Sequence, residues 1–347
     1  MNAFERIMNT LDRKPVDRLA CDMWATAEVL AKLRARLAVP TDEAVYDELG
    51  IDKIVWLAAT YPDLPPSRDE WGVEKRSQTY DGGTYQETSK SPLASLETIA
   101  QLERFPWPDP ERFDYAALAR SAAAVRGRPA MLSFISLFET YTGMRGFENA
   151  LADLYVEKDF ASYALERIAS IQIRYIEKSL AATGDDIGIV YFSDDMGMQD
   201  RQLFSTGTWD EAIGPRAERI IDTIHRFGKK AFYHTDGSAP EIVDRLVGLG
   251  IDILNPIQHV CPGMERERLA KLYGGKVVFH GAVENQKVLP FGTPDDVRKE
   301  TRDCMRLLGS GGGYIVASCH NLQPNTPVDN ILAMYETVRE EGAKYLH

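Results

Sequence analysis

From residue 130 onward, short and nearly continuous apolar runs alternate with longer stretches whose apolar positions recur every three or four residues. The runs are Ala130–Ile135, Ile187–Phe192, Lys230–Tyr233, Ile251–Leu254, Lys276–Phe279 and Gly313–Ala317. A parallel strand covered on both faces needs such unbroken hydrophobicity. The intervening stretches carry helix signals. Thr208-Trp-Asp-Glu211 has the form of a capping box, and Ile213, Ala217, Ile220, Ile221 and Ile224 follow at helical spacing. Pro215 marks a kink or a later start, and Gly228 a stop. Thr293-Pro294 opens another helix, running through Val297, Cys304 and Leu308 to Gly309. This alternation predicts βα units around a parallel sheet. A chain of 347 residues suits a TIM (β/α)8 barrel of the α/β class, folded as one domain over 1–347.

The N-terminal part is less regular. Leu19–Trp24 and Ile51–Leu57 read as the first two strands. Residues 60–108 are rich in Pro, Asp and Gly, with a hairpin expected at Asp81-Gly82-Gly83. That stretch reads as an extended excursion covering one end of the barrel.

Composition narrows the possible partners. Hydrophobic residues make up 44% and charged residues 27%, the balance of an ordinary globular protein. The formal charge of −12 offers no basic field to nucleic acid or to an anionic membrane. No run approaches the roughly 20 apolar residues of a membrane span. The segment Met1–Arg18 is amphipathic and charged, unlike a secretory signal. The four cysteines, Cys21, Cys261, Cys304 and Cys319, form no CxxC and no disulfide framework, which points to the cytoplasm.

In a barrel, polar residues just past a strand face the shared mouth where catalysis is sited. Five strands end in such clusters: Ser193-Asp194-Asp195, His234-Thr-Asp236-Gly237, Asn255 with Gln258 and His259, His280-Gly281 with Glu284, and Ser318-Cys319-His320-Asn321. Together they predict a site without naming its reaction. His234, Asp236 and His320, with Cys319 as an alternative, are candidate metal ligands. Three protein donors and one open position make a catalytic zinc site; the competing reading makes the histidines acid/base or hydrogen-bonding groups. Asp194 and Asp195 read as a carboxylate pair, either binding substrate or with one acid held protonated by the other. Helix capping by one of them is the plainer alternative. Trp24 reads as pocket wall or core aromatic, and Cys319 also as nucleophile or small core thiol. The glycine-rich run Gly309–Gly313 precedes a strand instead of opening a helix, so no phosphate site is read there.

Several motifs carry a resemblance. Arg13-Lys-Pro-Val-Asp17-Arg18, Asp69-Glu-Trp-Gly72, Phe105-Pro-Trp-Pro-Asp109 and Met144-Arg-Gly-Phe-Glu-Asn149 lie in the first half. Tyr191-Phe-Ser-Asp-Asp-Met-Gly197, His234-Thr-Asp-Gly237 and His320-Asn-Leu-Gln-Pro324 with Thr326-Pro327 lie in the second. With these the chain resembles the uroporphyrinogen decarboxylase superfamily over essentially its whole length, which implies a TIM barrel. One branch decarboxylates the acetate side chains of a tetrapyrrole without a cofactor, and grips the substrate with an arginine-bearing M-R-Q-A-G-R segment after the first strand. Here that segment is Met23-Trp-Ala-Thr-Ala-Glu28, with no arginine to meet a carboxylate in bidentate fashion. Another branch comprises zinc-dependent methyltransferases with H-x-C after one strand and a cysteine after the last. Here His234 matches the first ligand, Asp236 replaces the second and His320 the third. This harder donor set suits an oxygen- or nitrogen-bound methyl donor at least as well as a thiol.

The resemblance therefore implies a corrinoid-linked methyltransferase with zinc on His234, Asp236 and His320. It casts Asp194, Asp195 and Glu139 as catalytic, and Trp24, Asn255, His259 and Asn321 as substrate contacts. Cys319, His280 and Glu284 stand behind the ligands or substitute for one. It further implies a small-molecule methyl donor or acceptor, a corrinoid carried by a partner protein docking over the mouth, and a homodimer. The alternatives are a decarboxylase of uroporphyrinogen or of a smaller acid, with Asp194 or Asp195 protonating the carbanion, and a barrel that binds a ligand without chemistry.

Overall fold

Alternate residues of each strand point to opposite faces, and in the computed structural model this period sorts two layers of core. The structure describes residues 1–80, 83–125 and 127–346. Ile189 and Tyr191, Phe232, Ile253, Val278 and Ile315 pack with Trp24 into the barrel interior, while Ile7 and Leu11 of the N-terminal helix Ala3–Leu11 close it from below. Their neighbours Val190, Phe192, Ala231, Tyr233, Leu254, Phe279 and Val316 face outward into the larger core under the helices. Burial of each such large side chain contributes about 1.5–3 kcal/mol relative to exposure, so neither face tolerates polar substitution.

The strands are β1 (Ala20–Cys21), β2 (Val55–Leu57), β3 (Glu74–Tyr80), β4 (Gly83–Lys90), β5 (Ala130–Ile135), β6 (Ile189–Ser193), β7 (Lys230–His234), β8 (Ile253–Asn255), β9 (Val278–Val283) and β10 (Tyr314–Ser318). Eight of them form one sheet in the order β1-β10-β9-β8-β7-β6-β5-β2, with every pairing parallel. The sheet curls into the expected TIM-type α/β barrel. At the seam between β1 and β2, side chains take over from the ladder. The Asp52 carboxylate accepts the Cys21 N–H at 2.9 Å, and the Asp22 carboxylate accepts the Ile54 N–H at 2.9 Å. Arg6 and Arg18 neutralise the buried Asp52.

The first two strands are shorter than their apolar runs, because the sheet needs only the residues that find a parallel partner. The helix expected from Thr208 starts earlier, capped by the Ser205 hydroxyl on the Thr208 N–H. It ends at Ala212, and a second helix, Gly214–Arg226, begins with Pro215 in its first turn. Thr208-Trp-Asp-Glu211 is therefore helix interior and not a capping box. Thr293 does cap the helix Pro294–Leu308 with Asp296 closing the box, and Gly228 takes a left-handed conformation at φ +69°. Within 60–108, β3 and β4 form a separate antiparallel ribbon. Asp81 and Gly82 of the expected turn lie outside the described residues. Among the described residues no helix is long and apolar enough to cross a membrane.

Candidate active site and metal centre

The inward-facing series on each strand continues upward from apolar to polar. Tyr191 is followed two residues on by Ser193, Phe232 by His234, Ile253 by Asn255 and Val278 by His280. A cavity of about 810 Å³ opens above this polar layer at the C-terminal ends of the strands. Its size matches a small-molecule site.

At its base three ligand-type atoms converge. One donor atom each from His234, Asp236 and His320 lies within 4.8 Å of the other two. His234 Nε2 stands 4.0 Å from Asp236 Oδ1, and His320 Nε2 stands 3.7 Å from Asp236 Oδ2. A tetrahedral zinc with bonds near 2.0–2.1 Å sets its donors about 3.4 Å apart, so two imidazole nitrogens and a carboxylate oxygen at this spacing fit that ion. His234 and His320 also line the cavity. Burial pushes the Asp236 carboxyl up from its ordinary value against the pull of His234, and a bound cation would reverse that.

Two loops are locked together to hold Asp236 there. A Cβ on Gly197 would stand 2.6 Å from the Asp236 carbonyl oxygen, and one on Gly237 would stand 2.5 Å from Gly197 C. Only glycines allow this backbone-to-backbone approach, and Gly237 also needs its φ of +82°. The Asp236 N–H donates to Asp195 Oδ1 at 2.9 Å and the Met196 N–H to the Thr235 hydroxyl at 3.0 Å, which joins the loops after β6 and β7 into one unit.

The two adjacent aspartates diverge. Asp195 lines the cavity, 3.7 Å from His234 Nε2. Asp194 is fully buried and accepts the N–H groups of Leu137 at 3.2 Å and Glu139 at 2.8 Å. It thus caps the helix Phe138–Arg145 and is not among the residues that line the cavity. Burial, and then Glu139, push its carboxyl well up. Glu139 lines the cavity and accepts the Ser193 hydroxyl at 2.8 Å; burial, and then the Asp195 charge, raise its carboxyl so that it favours a proton.

Most of the other expected residues have protein partners of their own. Asn255 is buried beneath the cavity, where its amide links His234 and His280. His259 pairs with Glu300 at 2.8 Å, away from the cavity lining. Trp24 donates from Nε1 to Asp22 inside the barrel, and Asn321 is outside the lining as well. Glu284 accepts the N–H groups of Gln286, Lys287 and Val288 and so caps the turn that follows β9. Cys319 is a buried thiol whose desolvation holds it well above its usual value, and it is not among the converging donors.

The cavity wall was not anticipated. Trp56, Tyr191, Phe113 and Tyr175 form an aromatic lining with Phe134, which is 71% exposed and held at φ +69° where the β5–β6 register slips. Strand alternation would have hidden Phe134; the bulge re-aims it into the cavity. Arg68 and Lys75, from the excursion, are the lysine and arginine among the described lining residues.

The sequence signature described as Uroporphyrinogen decarboxylase (URO-D) matches residues 84–341. A uroporphyrinogen decarboxylase of Anaeromyxobacter sp. (strain Fw109-5) is 23% identical over 96% of this chain and 97% of its own length. One from Synechococcus sp. (strain JA-2-3B'a(2-13)) is 26% identical over 73% of this chain and 71% of its own. Among solved structures, a methyltransferase from Methanosarcina mazei superposes with a TM-score of 0.70 at 16% identity, covering 98% of this chain and 99% of that one. This last likeness establishes the fold.

Proposed function

Because this chain belongs to the uroporphyrinogen decarboxylase family, we propose that it is a metal-dependent methyltransferase of that family, working with a corrinoid-carrying partner protein. The observation that carries this reading is the convergence of His234, Asp236 and His320 at the base of the cavity. Two further facts support it. The segment after β1 brings no arginine to the cavity, and Arg68 and Lys75 are too few to clamp a tetrapyrrole bearing many carboxylates. The structural likeness to a methyltransferase from Methanosarcina mazei is in keeping with it.

His234, Asp236 and His320 would hold zinc, which supplies Lewis acidity at its open position. The donor set of nitrogen and oxygen favours a small substrate whose methyl group sits on oxygen or nitrogen. Glu139, half-buried at the cavity with its carboxyl raised so that it holds a proton more readily, would deliver a proton to the atom losing its methyl group. Ser193 fixes the carboxyl by donating to its Oε2. Asp195 holds the Asp236 turn in place, and the aromatic wall excludes water from the reacting end.

Metal content and turnover test the reading together. Chain purified without chelators is expected to carry about one zinc, lost in His234→Ala, and to change the cobalamin absorption spectrum with a methoxy or methylamine donor. Formation of coproporphyrinogen by metal-free protein would replace it with the decarboxylase.

A further inference from the structure

Beneath the cavity a run of buried polar side chains crosses the barrel from β7 to the β1–β2 seam. His234 Nδ1 lies 2.6 Å from Asn255 Oδ1, Asn255 Nδ2 lies 2.7 Å from His280 Nδ1, and His280 Nε2 lies 3.1 Å from Asp22 Oδ2. Asn255, His280 and Asp22 have no exposed surface at all. An apolar interior needs no such network, and a partly satisfied one is worse than none. Here the donors and acceptors follow in a single consistent direction.

The direction can be read from the seam. The Asp22 carboxylate receives the N–H groups of Met23 and Ile54 and the Trp24 indole, with Lys53 Nζ 3.7 Å away. Burial alone would raise this carboxyl, but Lys53 and His280 outweigh it and bring it down to about 2. Asp22 is therefore an acceptor, and His280 Nε2 carries the hydrogen that faces it. Where the Asn255 amino group faces Nδ1, that nitrogen is the acceptor. A second contact fixes the amide independently. Asn255 Nδ2 is also 3.4 Å from the His280 carbonyl oxygen, and the opposite orientation would set two acceptor oxygens together. Asn255 Oδ1 consequently faces His234 Nδ1, which has to be the protonated nitrogen. On the cavity side, Asp195 and Asp236 stand 3.7 and 4.0 Å from His234 Nε2, too far to hold a hydrogen there. Trp24 packs against both rings, with centroids 5.7 Å from His234 and 5.4 Å from His280.

We infer that Asn255, backed by His280 and Asp22, is a positioning residue that fixes His234 in its Nδ1–H tautomer and aims the Nε2 lone pair into the cavity. Its value for metal binding rests on the proposed function; the tautomer itself does not. A ligand imidazole is commonly oriented by a hydrogen bond to its other nitrogen, and loss of that partner weakens metal binding by roughly 10–100-fold.

Long-range proton–nitrogen NMR spectra of the metal-free chain, recorded above the imidazole titration, read the tautomer directly. The wild-type protein is expected to show His234 Nδ1 protonated and Nε2 bare. Asn255→Leu should give a mixture or the Nε2–H form, with zinc affinity lowered roughly 10–100-fold in chelator competition. Asn255→Asp keeps an acceptor toward His234 while His280 takes a proton on Nδ1 to meet the second carboxylate oxygen, and should restore both the tautomer and the affinity, which a purely packing role would not do. A wild-type His234 protonated on Nε2, or an Asn255→Leu variant with unchanged tautomer and affinity, would overturn the inference. If no variant binds zinc while the tautomer follows this pattern, the proposed function fails and the positioning role stands.

Discussion

Glu139 shows how far one side chain's environment can set its chemistry. Burial, and then the neighbouring Asp195 charge, lift its carboxyl above the ordinary glutamate value of 4.5, so the folded protein holds this proton more tightly than the unfolded chain does. The resulting stability is complete below the ordinary value and is lost as pH rises through the folded one. Glu139→Gln keeps the shape without the charge. In metal-free protein it is expected to gain stability relative to wild type as pH climbs from the carboxylate range, measured as the shift in denaturation midpoint. The same variant should lose about 10²-fold in methyl transfer. Parallel pH curves for the two proteins would show that Glu139 ionises alike in both states. The sequence offered Glu139 only through a resemblance, since no local pattern shows which cavity its helix faces. Nor does adjacency separate Asp194 from Asp195: one turns toward the helix Phe138–Arg145 and its neighbour toward the cavity.

Among the elements, the loops after β6 and β7 matter most, because they carry Asp195 and Asp236 against each other. Gly197→Ala would force a Cβ into the Asp236–Ser238 backbone at 2.6 Å, and no flexible side chain is there to yield. Overpacking of this kind costs about 1–3 kcal/mol. The variant is expected to fold with a lower melting temperature and to bind zinc more weakly, because Asp236 moves with its turn. Unchanged zinc affinity in folded Gly197→Ala would mean that the loops hold Asp236 without this contact. Both glycines are visible in the sequence as ends of strand-following motifs, but their mutual approach is not. The strands were readable because period and hydrophobicity agree along them. The start of the helix Thr206–Ala212 was misplaced because Ser205, one of several hydroxyls nearby, takes the capping role only once the preceding loop is in place.

At the scale of the whole molecule, the proposed metal would join β7 to β10, strands that are three places apart in the sheet order. Ligand that binds only the folded chain adds stability by mass action, about 4 kcal/mol at a thousandfold excess over Kd. Zinc is therefore expected to raise the melting temperature of the wild-type chain. His234→Ala should abolish that rise, while His259→Ala should preserve it, since His259 pairs with Glu300 outside the cavity. An equal zinc response in all three proteins would place the ion elsewhere.

The amino-acid sequence by itself determined the barrel and the end of it that carries chemistry. Continuous apolar runs demand two covered faces, and an inward series that changes from Phe232 to His234 marks its upper layer as polar. It also supplied the three candidate ligands, because residues just past parallel strands share one mouth. The tertiary structure alone decided which polar groups reach the cavity. Asn255 and His280 lie one layer too deep, Asp194 and Glu284 satisfy backbone N–H groups, and Phe134 is turned into the cavity by a slip in register. Apart from the Glu284 turn, whose partners lie two to four residues on, each of these choices depends on neighbours more than twenty residues away or on a single shifted pairing, and neither leaves a period in the chain.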